Sequence, residues 1–393
     1  MPFKSLTAAL LLTVCAASAL PAQAAVIPRF DGKTTDALTI ETQTKAIMAK
    51  ARIPGLSIAV IDHGKVMFTG AYGRRDVEHD LPMTLDTVMY GASLTKAAFT
   101  VMVLQLVDEG VLTLDTPLAQ YLKKPLPAYE KYADLANDPR WERLTARMIL
   151  DHTTGFPNFR WINPDGKLDF KFDPGARYAY SGEGINLLQF VLENGLGLDV
   201  GKEMKRRIFD RFGMTHTSMT WQPQYEDNIT TGYDEAGKAE PHDHRDNVRA
   251  AGSMDTTIGD YARFLAGVTS GGGLKKATFA EMLRPQIAIT SQHQFPTLDF
   301  SHMPDNAGWK LSAGLGWIVF QSPYGPAFYK SGHDDYTDNH AVCVERLRRC
   351  VLIMTNSGVG ARAFPALVAA VMGDIGEPWS WELNPILPLE PAA

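Results

Sequence analysis

Cysteine is scarce in this chain, three residues in 393, so no framework of disulfides can stand in for a core. Lysine and arginine form no dense stripe, and the formal net charge is −6. An electrostatic footprint for nucleic acid is therefore missing, and no nucleic-acid partner is expected. The 33 glycines and 24 prolines stand near average usage, which excludes a fibrous or low-complexity chain, and no internal repeat is visible. What is present is 45% apolar content over a length that can bury a large core, with room for two lobes sharing one cleft.

An apolar stretch over residues 6–20 follows Lys4 and precedes Ala22-Gln23-Ala24. A positive start, a short apolar run and an A-x-A site read as a secretory signal peptide over residues 1–24, cleaved before Ala25. The run falls short of the roughly 20 residues of a membrane-spanning helix. Val14 ahead of Cys15 also fits a lipid-attachment site poorly. No stable membrane anchor is expected, and the expected location is periplasmic or secreted. Cys343 and Cys350 then remain, flanking Glu345-Arg346-Leu347-Arg348. If a turn centres on Arg346 and Leu347, the two thiols lie across a hairpin, where an oxidising compartment allows a disulfide. Two buried free thiols fit the same pattern.

Residues 39–50 have the look of an amphipathic helix. Residues 56–61 and 66–71 read as strands around a His63-Gly64 turn. Residues 93–108 carry apolar side chains nearly all round, which marks a buried helix, stopped by Gly110. From Leu114 to about Leu283 the chain is mostly helical and loop-rich, with a helix over 183–195 and a capping box at Thr257-Ile258-Gly259-Asp260. Strand patterns return over 316–321, 327–330, 341–345 and 350–355, before a closing helix over 363–372. This order predicts an α/β (α+β) fold: an antiparallel sheet flanked by helices, built from both ends of the chain, with an inserted mostly helical lobe. The sheet lobe is expected over about 25–112 and 300–385 and the helical lobe over about 113–299, with the site in the cleft between them.

Ser93-Leu94-Thr95-Lys96 is the one S-x-x-K in the chain. Residues three apart on a helix share a face, so the Lys96 amine can reach the Ser93 hydroxyl. An amine of lowered pKa can take the serine proton, and a helix start favours developing negative charge. Two further motifs follow in order. Tyr180-Ser181-Gly182 comes after Asp173-Pro174-Gly175, and Lys330-Ser331-Gly332 lies on a predicted strand near the C-terminus.

This ordered set resembles the serine β-lactamases and penicillin-binding DD-peptidases, and within them the branch of class C β-lactamases, D-alanyl-D-alanine carboxypeptidases and β-lactamase-like esterases. The resemblance covers most of the chain. Leu150-Asp151-His152-Thr153-Thr154-Gly155, Phe212-Gly213-Met214-Thr215, Ala251-Gly252-Ser253 and Gly314-Leu315-Gly316-Trp317 look like stretches of that branch. It implies a β-lactamase/transpeptidase-like fold and no cofactor or metal. It implies that Ser93 is acylated, that Lys96 accepts or relays its proton, and that Tyr180, cycling between phenol and phenolate, protonates the leaving group and activates water for deacylation. It further implies that Lys330 adds positive potential and holds a substrate carboxylate, that Ser181, Ser331 and Gly332 border the substrate, and that the backbone N–H groups of Ser93 and His333 form an oxyanion hole.

The chain departs from the branch at Gly182, where Asn is frequent; the missing amide argues against efficient β-lactam turnover. An acidic run, Asp334-Asp335-Tyr336-Thr337-Asp338, follows His333. It reads either as an attractor of cationic substrates or as a solvated loop. His242-Asp243-His244-Arg245-Asp246 has the spacing of a zinc motif, but Asn247 follows it, and a surface loop is the expectation. His152 is expected to brace its loop. The function expected is acyl-enzyme hydrolysis of an ester, an amide or peptide bearing a D-amino acid, or a β-lactam. The alternative is a penicillin-binding protein or sensor that is acylated but turns over slowly.

Overall fold

His63 and Gly64 take positive φ, 51° and 73°, as a tight two-residue hairpin turn requires. They join the strand Gly55–Asp62 to the strand Lys65–Asp76. Far along the chain, Leu347 and Arg348 also take positive φ and turn Thr337–Val344 back into Arg349–Thr355. Cys343 and Cys350 pair across that hairpin and are joined as a disulfide, so the free-thiol alternative falls away.

The computed structural model describes residues 26–303 and 308–383. The leader expected over residues 1–24 lies outside them. Among the described residues, no helix is long and apolar enough to cross a membrane.

The two ends of the chain meet where Gly55–Asp62 pairs antiparallel with Arg349–Thr355, Ile58 facing Ile353. Outward on one side lie Lys65–Asp76 and the short Leu81–Pro82. On the other side lie Thr337–Val344, Gly325–Asp334, Ile318–Ser322, Ser312–Ala313 and Ile287–Ala288. The result is a nine-stranded antiparallel sheet with helical and loop segments inserted between its two halves, the expected fold class.

The central strands are buried on both faces, so their apolar residues alternate between two cores. Ile58, Val60, Val351 and Ile353 face the core shared with the helices Ala37–Ala51 and Phe364–Met372. Ala59, Ile61, Leu352 and Met354 face the core around the helix Leu94–Asp108. Every residue of that helix from Leu94 to Leu106 is buried, as its unpatterned apolar sequence predicts. The capping expectation holds as well: Thr257 accepts from the Asp260 N–H at 3.2 Å and opens the helix Ile258–Thr269.

Candidate active site

Ser93 stands at the head of the Leu94–Asp108 helix, just after a strained turn. Ala92 takes φ 45°, in the left-handed region that side chains disfavour by about 1–2 kcal/mol. Its surroundings hold it there. Thr95 Oγ1 donates to the Ala92 carbonyl at 2.6 Å, the Gly91 N–H to Met254 at 2.8 Å, and Asn339 Nδ2 to Tyr90 at 2.9 Å. The Ser93 hydroxyl does not cap the helix, so it is free for other partners.

One helical turn on, Lys96 Nζ lies 2.8 Å from Ser93 Oγ and also donates to the Ala251 carbonyl. The residue is 1% exposed. Burial, and then the nearby charge of Lys330, hold the amine well below the usual lysine range. The balance beside the hydroxyl is thereby moved towards the unprotonated amine.

Tyr180 closes the triangle. Its phenol interacts with the Ser93 hydroxyl and accepts from Lys330 Nζ at 3.3 Å, and the Nζ atoms of Lys96 and Lys330 each lie 4.9 Å from its ring centroid. Burial pushes the phenol up, against the smaller opposing effect of Ser93, so its resting form is the phenol and not the phenolate. His152 ties its own loop to this segment and packs against the phenol ring. The imidazole Nδ1 accepts from the Ser181 N–H at 3.2 Å, and its ring lies 4.4 Å from that of Tyr180. Burial and the two lysine charges keep His152 neutral.

Several sequence expectations shift here. Ser181 does not border the cleft: it is fully buried, donating to the Pro157 carbonyl at 2.8 Å and capping the helix Gly182–Asn194 through Gly184 N–H at 3.0 Å. Lys330 is no open carboxylate receptor. It is 6% exposed and spent on Tyr180 and the Ser331 carbonyl, while burial lowers its ammonium to about 8. The Ser331 hydroxyl turns to His340 Nδ1 at 2.9 Å, and the other nitrogen of that imidazole lies 2.8 Å from Glu377. Gly332 works by close approach and not by leaving an opening. A Cβ there would fall 2.8 Å from the Ser93 and Leu94 nitrogens, so only glycine lets the strand Gly325–Asp334 lie against the helix start.

His333 does line the cleft, with Asp334 beside it. Asp338 does not. It is buried, accepts from the Ala361 N–H at 3.0 Å, and has its carboxyl pushed up to about 7 by burial. The acidic run thus splits, with one carboxylate at the cleft. The zinc-like stretch is more than the surface loop expected of it. The His242 side chain is buried with Nε2 2.9 Å from Asp255, and His244 stacks on Trp221 at 3.8 Å. Among the described residues, no His/Cys/Asp/Glu group could hold a metal ion.

The rest of the wall comes from residues outside the sequence motifs. The cleft, about 280 Å³, is also lined by Asn158, Phe159, Trp161, Asn186, Arg249 and Phe295. The loop residues carry no periodic signal. Asn186 alone had one, since it sits one turn beyond Gly182 on the same helix face.

The profile of the Beta-lactamase family matches residues 3–371. The chain is 25% identical over 281 residues to the D-alanyl-D-alanine-carboxypeptidase/endopeptidase AmpH of Escherichia coli, covering 67% of this chain and 69% of that one. It is 27% identical over 205 residues to the lovastatin esterase of Penicillium rubens, covering 45% of this chain and 51% of the esterase. A solved D-alanine carboxypeptidase AmpC from Burkholderia cenocepacia superposes with a TM-score of 0.67 at 18% identity, over 85% of this chain and 97% of that one. A class C beta-lactamase does so with 0.68 at 15% identity, over 86% and 96%. Those two likenesses are of fold. With a family profile running nearly the length of the sequence, the chain belongs to the beta-lactamase family.

Proposed function

We propose that the chain is a serine hydrolase working through an acyl-enzyme on Ser93. The observation that carries this reading is the 2.8 Å approach of Lys96 Nζ to Ser93 Oγ inside a buried pocket that also holds a phenol. The unprotonated Lys96 amine takes the Ser93 proton as the oxygen adds to the substrate carbonyl. The resulting oxyanion is received by the N–H groups of Ser93 and His333; Gly332, the neighbour of His333, packs closely against the Ser93 nitrogen. Collapse expels the leaving group, which takes a proton from the Tyr180 phenol. The phenol is restored from the Lys96 ammonium, so the proton removed from Ser93 leaves with the product. Water then attacks the acyl carbonyl, losing its proton to the same pair, and Ser93 is released as the hydroxyl. Lys330 holds positive charge beside Tyr180 throughout and eases transient negative charge on the phenol oxygen.

Of the three substrate classes, esters stand first. Position 182 offers no side-chain amide to an amide substrate, and the relatives include a protein named as an esterase as well as a carboxypeptidase. Action outside the cytoplasm is part of the proposal, supported by the leader pattern and by the Cys343–Cys350 disulfide.

A turnover screen tests the reading, using short-chain p-nitrophenyl esters, nitrocefin and D-Ala-D-Ala peptides across a pH series. We expect ester turnover whose kcat/KM falls above about pH 8, as the Lys330 ammonium loses its proton. Product from none of the three classes contradicts it. A lasting adduct on Ser93 without product would assign the acylated, slow-turnover alternative.

A further inference from the structure

The mouth of the cleft carries an aromatic platform that the family motifs do not contain. Phe159 and Trp161 stack with ring centroids 4.1 Å apart and planes 8° from parallel, both lining the cleft. Trp161 is 69% exposed, an unusual state for so large an apolar side chain.

The platform is rigidly mounted. Arg160, between the two rings, pairs with the buried Glu183 carboxylate through Nη2 at 3.1 Å and Nε at 3.2 Å, and its N–H donates to the same group at 3.1 Å. The Asn158 carbonyl accepts from the Glu183 N–H and its side-chain oxygen from the Gly182 N–H, each at 2.9 Å. The turn is therefore bolted to the start of the helix that follows Tyr180.

Gly182 and Phe159 depend on one another. A Cβ at position 182 would lie 2.5 Å from Phe159 Cε1, so the ring fills the space a side chain would take. Across the cleft, Phe295 stands edge-on to His333 with centroids 4.7 Å apart. Position 182 itself carries no amide, and the cleft wall beside it combines these aromatic faces with the side chains of Asn158 and Asn186.

We propose that this platform is a substrate subsite for a flat aromatic ring, which stacks on Trp161 and Phe159. The substrate class is then an aryl-bearing ester, with the ring on either the acyl or the alcohol half. This rests on the hydrolase reading for its context, so its test is made on binding and does not need turnover.

The Ser93→Ala chain is titrated calorimetrically with two matched pairs: methyl phenylacetate against methyl cyclohexylacetate, and benzyl acetate against cyclohexylmethyl acetate. Each pair keeps the ester and the six-carbon ring and exchanges a flat π system for a puckered, slightly larger and more lipophilic aliphatic ring, so plain hydrophobicity would favour the cyclohexyl partner. In one pair the aryl ester should bind about two- to tenfold more tightly, the span of one stacking contact. The pair that shows it assigns the ring to the acyl or the alcohol half. Adding Trp161→Ala should erase the preference. Gly182→Ala should also erase it, because its Cβ displaces the Phe159 ring, a movable side-chain end. Both variants should retain the parent's circular dichroism and melting temperature within a few degrees.

Preference in the Ser93→Ala chain alongside no hydrolysis by the unaltered chain would sink the hydrolase reading and leave the subsite standing. Equal affinity within both pairs overturns the subsite whatever the turnover. So does a preference that survives Trp161→Ala, or a Trp161→Ala change that alters only self-association.

Discussion

Ser93→Ala lowers the turnover of p-nitrophenyl esters by about three orders of magnitude or more, while the protein folds as before. The size follows from the chemistry. Without the hydroxyl no acyl-enzyme forms, and what is left is binding and oxyanion stabilisation acting on water. The unchanged folding follows from the structure, since the Ser93 side chain does not cap the Leu94–Asp108 helix and an alanine fits where Ser93 stands. Steady-state kinetics and a thermal melt on the same preparation check both halves. Hydrolysis within tenfold of the parent would mean that the nucleophile lies elsewhere.

Lys96→Ala is expected to cost about two to four orders of magnitude in kcat, the range for loss of a general base. Lys96→Arg should cost as much despite keeping a cation, because a guanidinium does not give up its proton near neutral pH. The pH profile separates loss of a base from loss of packing. In the parent, burial and the Lys330 charge lower the Lys96 pKa. The amine is thus protonated and idle at low pH, and activity rises with pH as it deprotonates, at a pH well below the usual lysine range. Residual activity in both Lys96 variants should lack that rising limb. A variant that loses rate but keeps the limb would show that another group takes the proton.

Stability changes with pH in the same direction as for a carboxylate of lowered pKa, rising with pH, but here the shift is a penalty and not a gain. A lysine whose folded pKa lies below its unfolded value binds fewer protons when folded. It therefore works against stability at low pH, and this effect fades as pH rises towards the unfolded value. The site keeps a buried amine at some cost to the fold, partly offset by the Ala251 carbonyl that Nζ meets.

Much of this was legible in the sequence because it is local. The His63-Gly64 turn, the all-round apolar helix behind Ser93, and the Cys343–Cys350 pairing each depend on residues close together in the chain. Lys96 reaches Ser93 because both ride on one helical turn. What the sequence hid is set by depth and by distant contacts. Alternation assigns Lys330 to a strand face, but not the burial that turns its ammonium onto Tyr180, 150 positions away. Ser181 reads as a motif residue, and only the Pro157 carbonyl shows that its hydroxyl is already engaged. The Phe159–Trp161 platform sits in a non-periodic loop and is aligned by an ion pair between Arg160 and Glu183. His242 looked exposed in a polar stretch, yet the buried Asp255 draws it inward.

The most direct test is to treat the protein with a fluorophosphonate, which phosphonylates activated serines, and to map the label by peptide mass while following ester hydrolysis. The account predicts one label per chain, on Ser93, with activity lost in step and no labelling of the Lys96→Ala chain on the same timescale. A label on any other residue, or full hydrolysis by chains modified at Ser93, would contradict it.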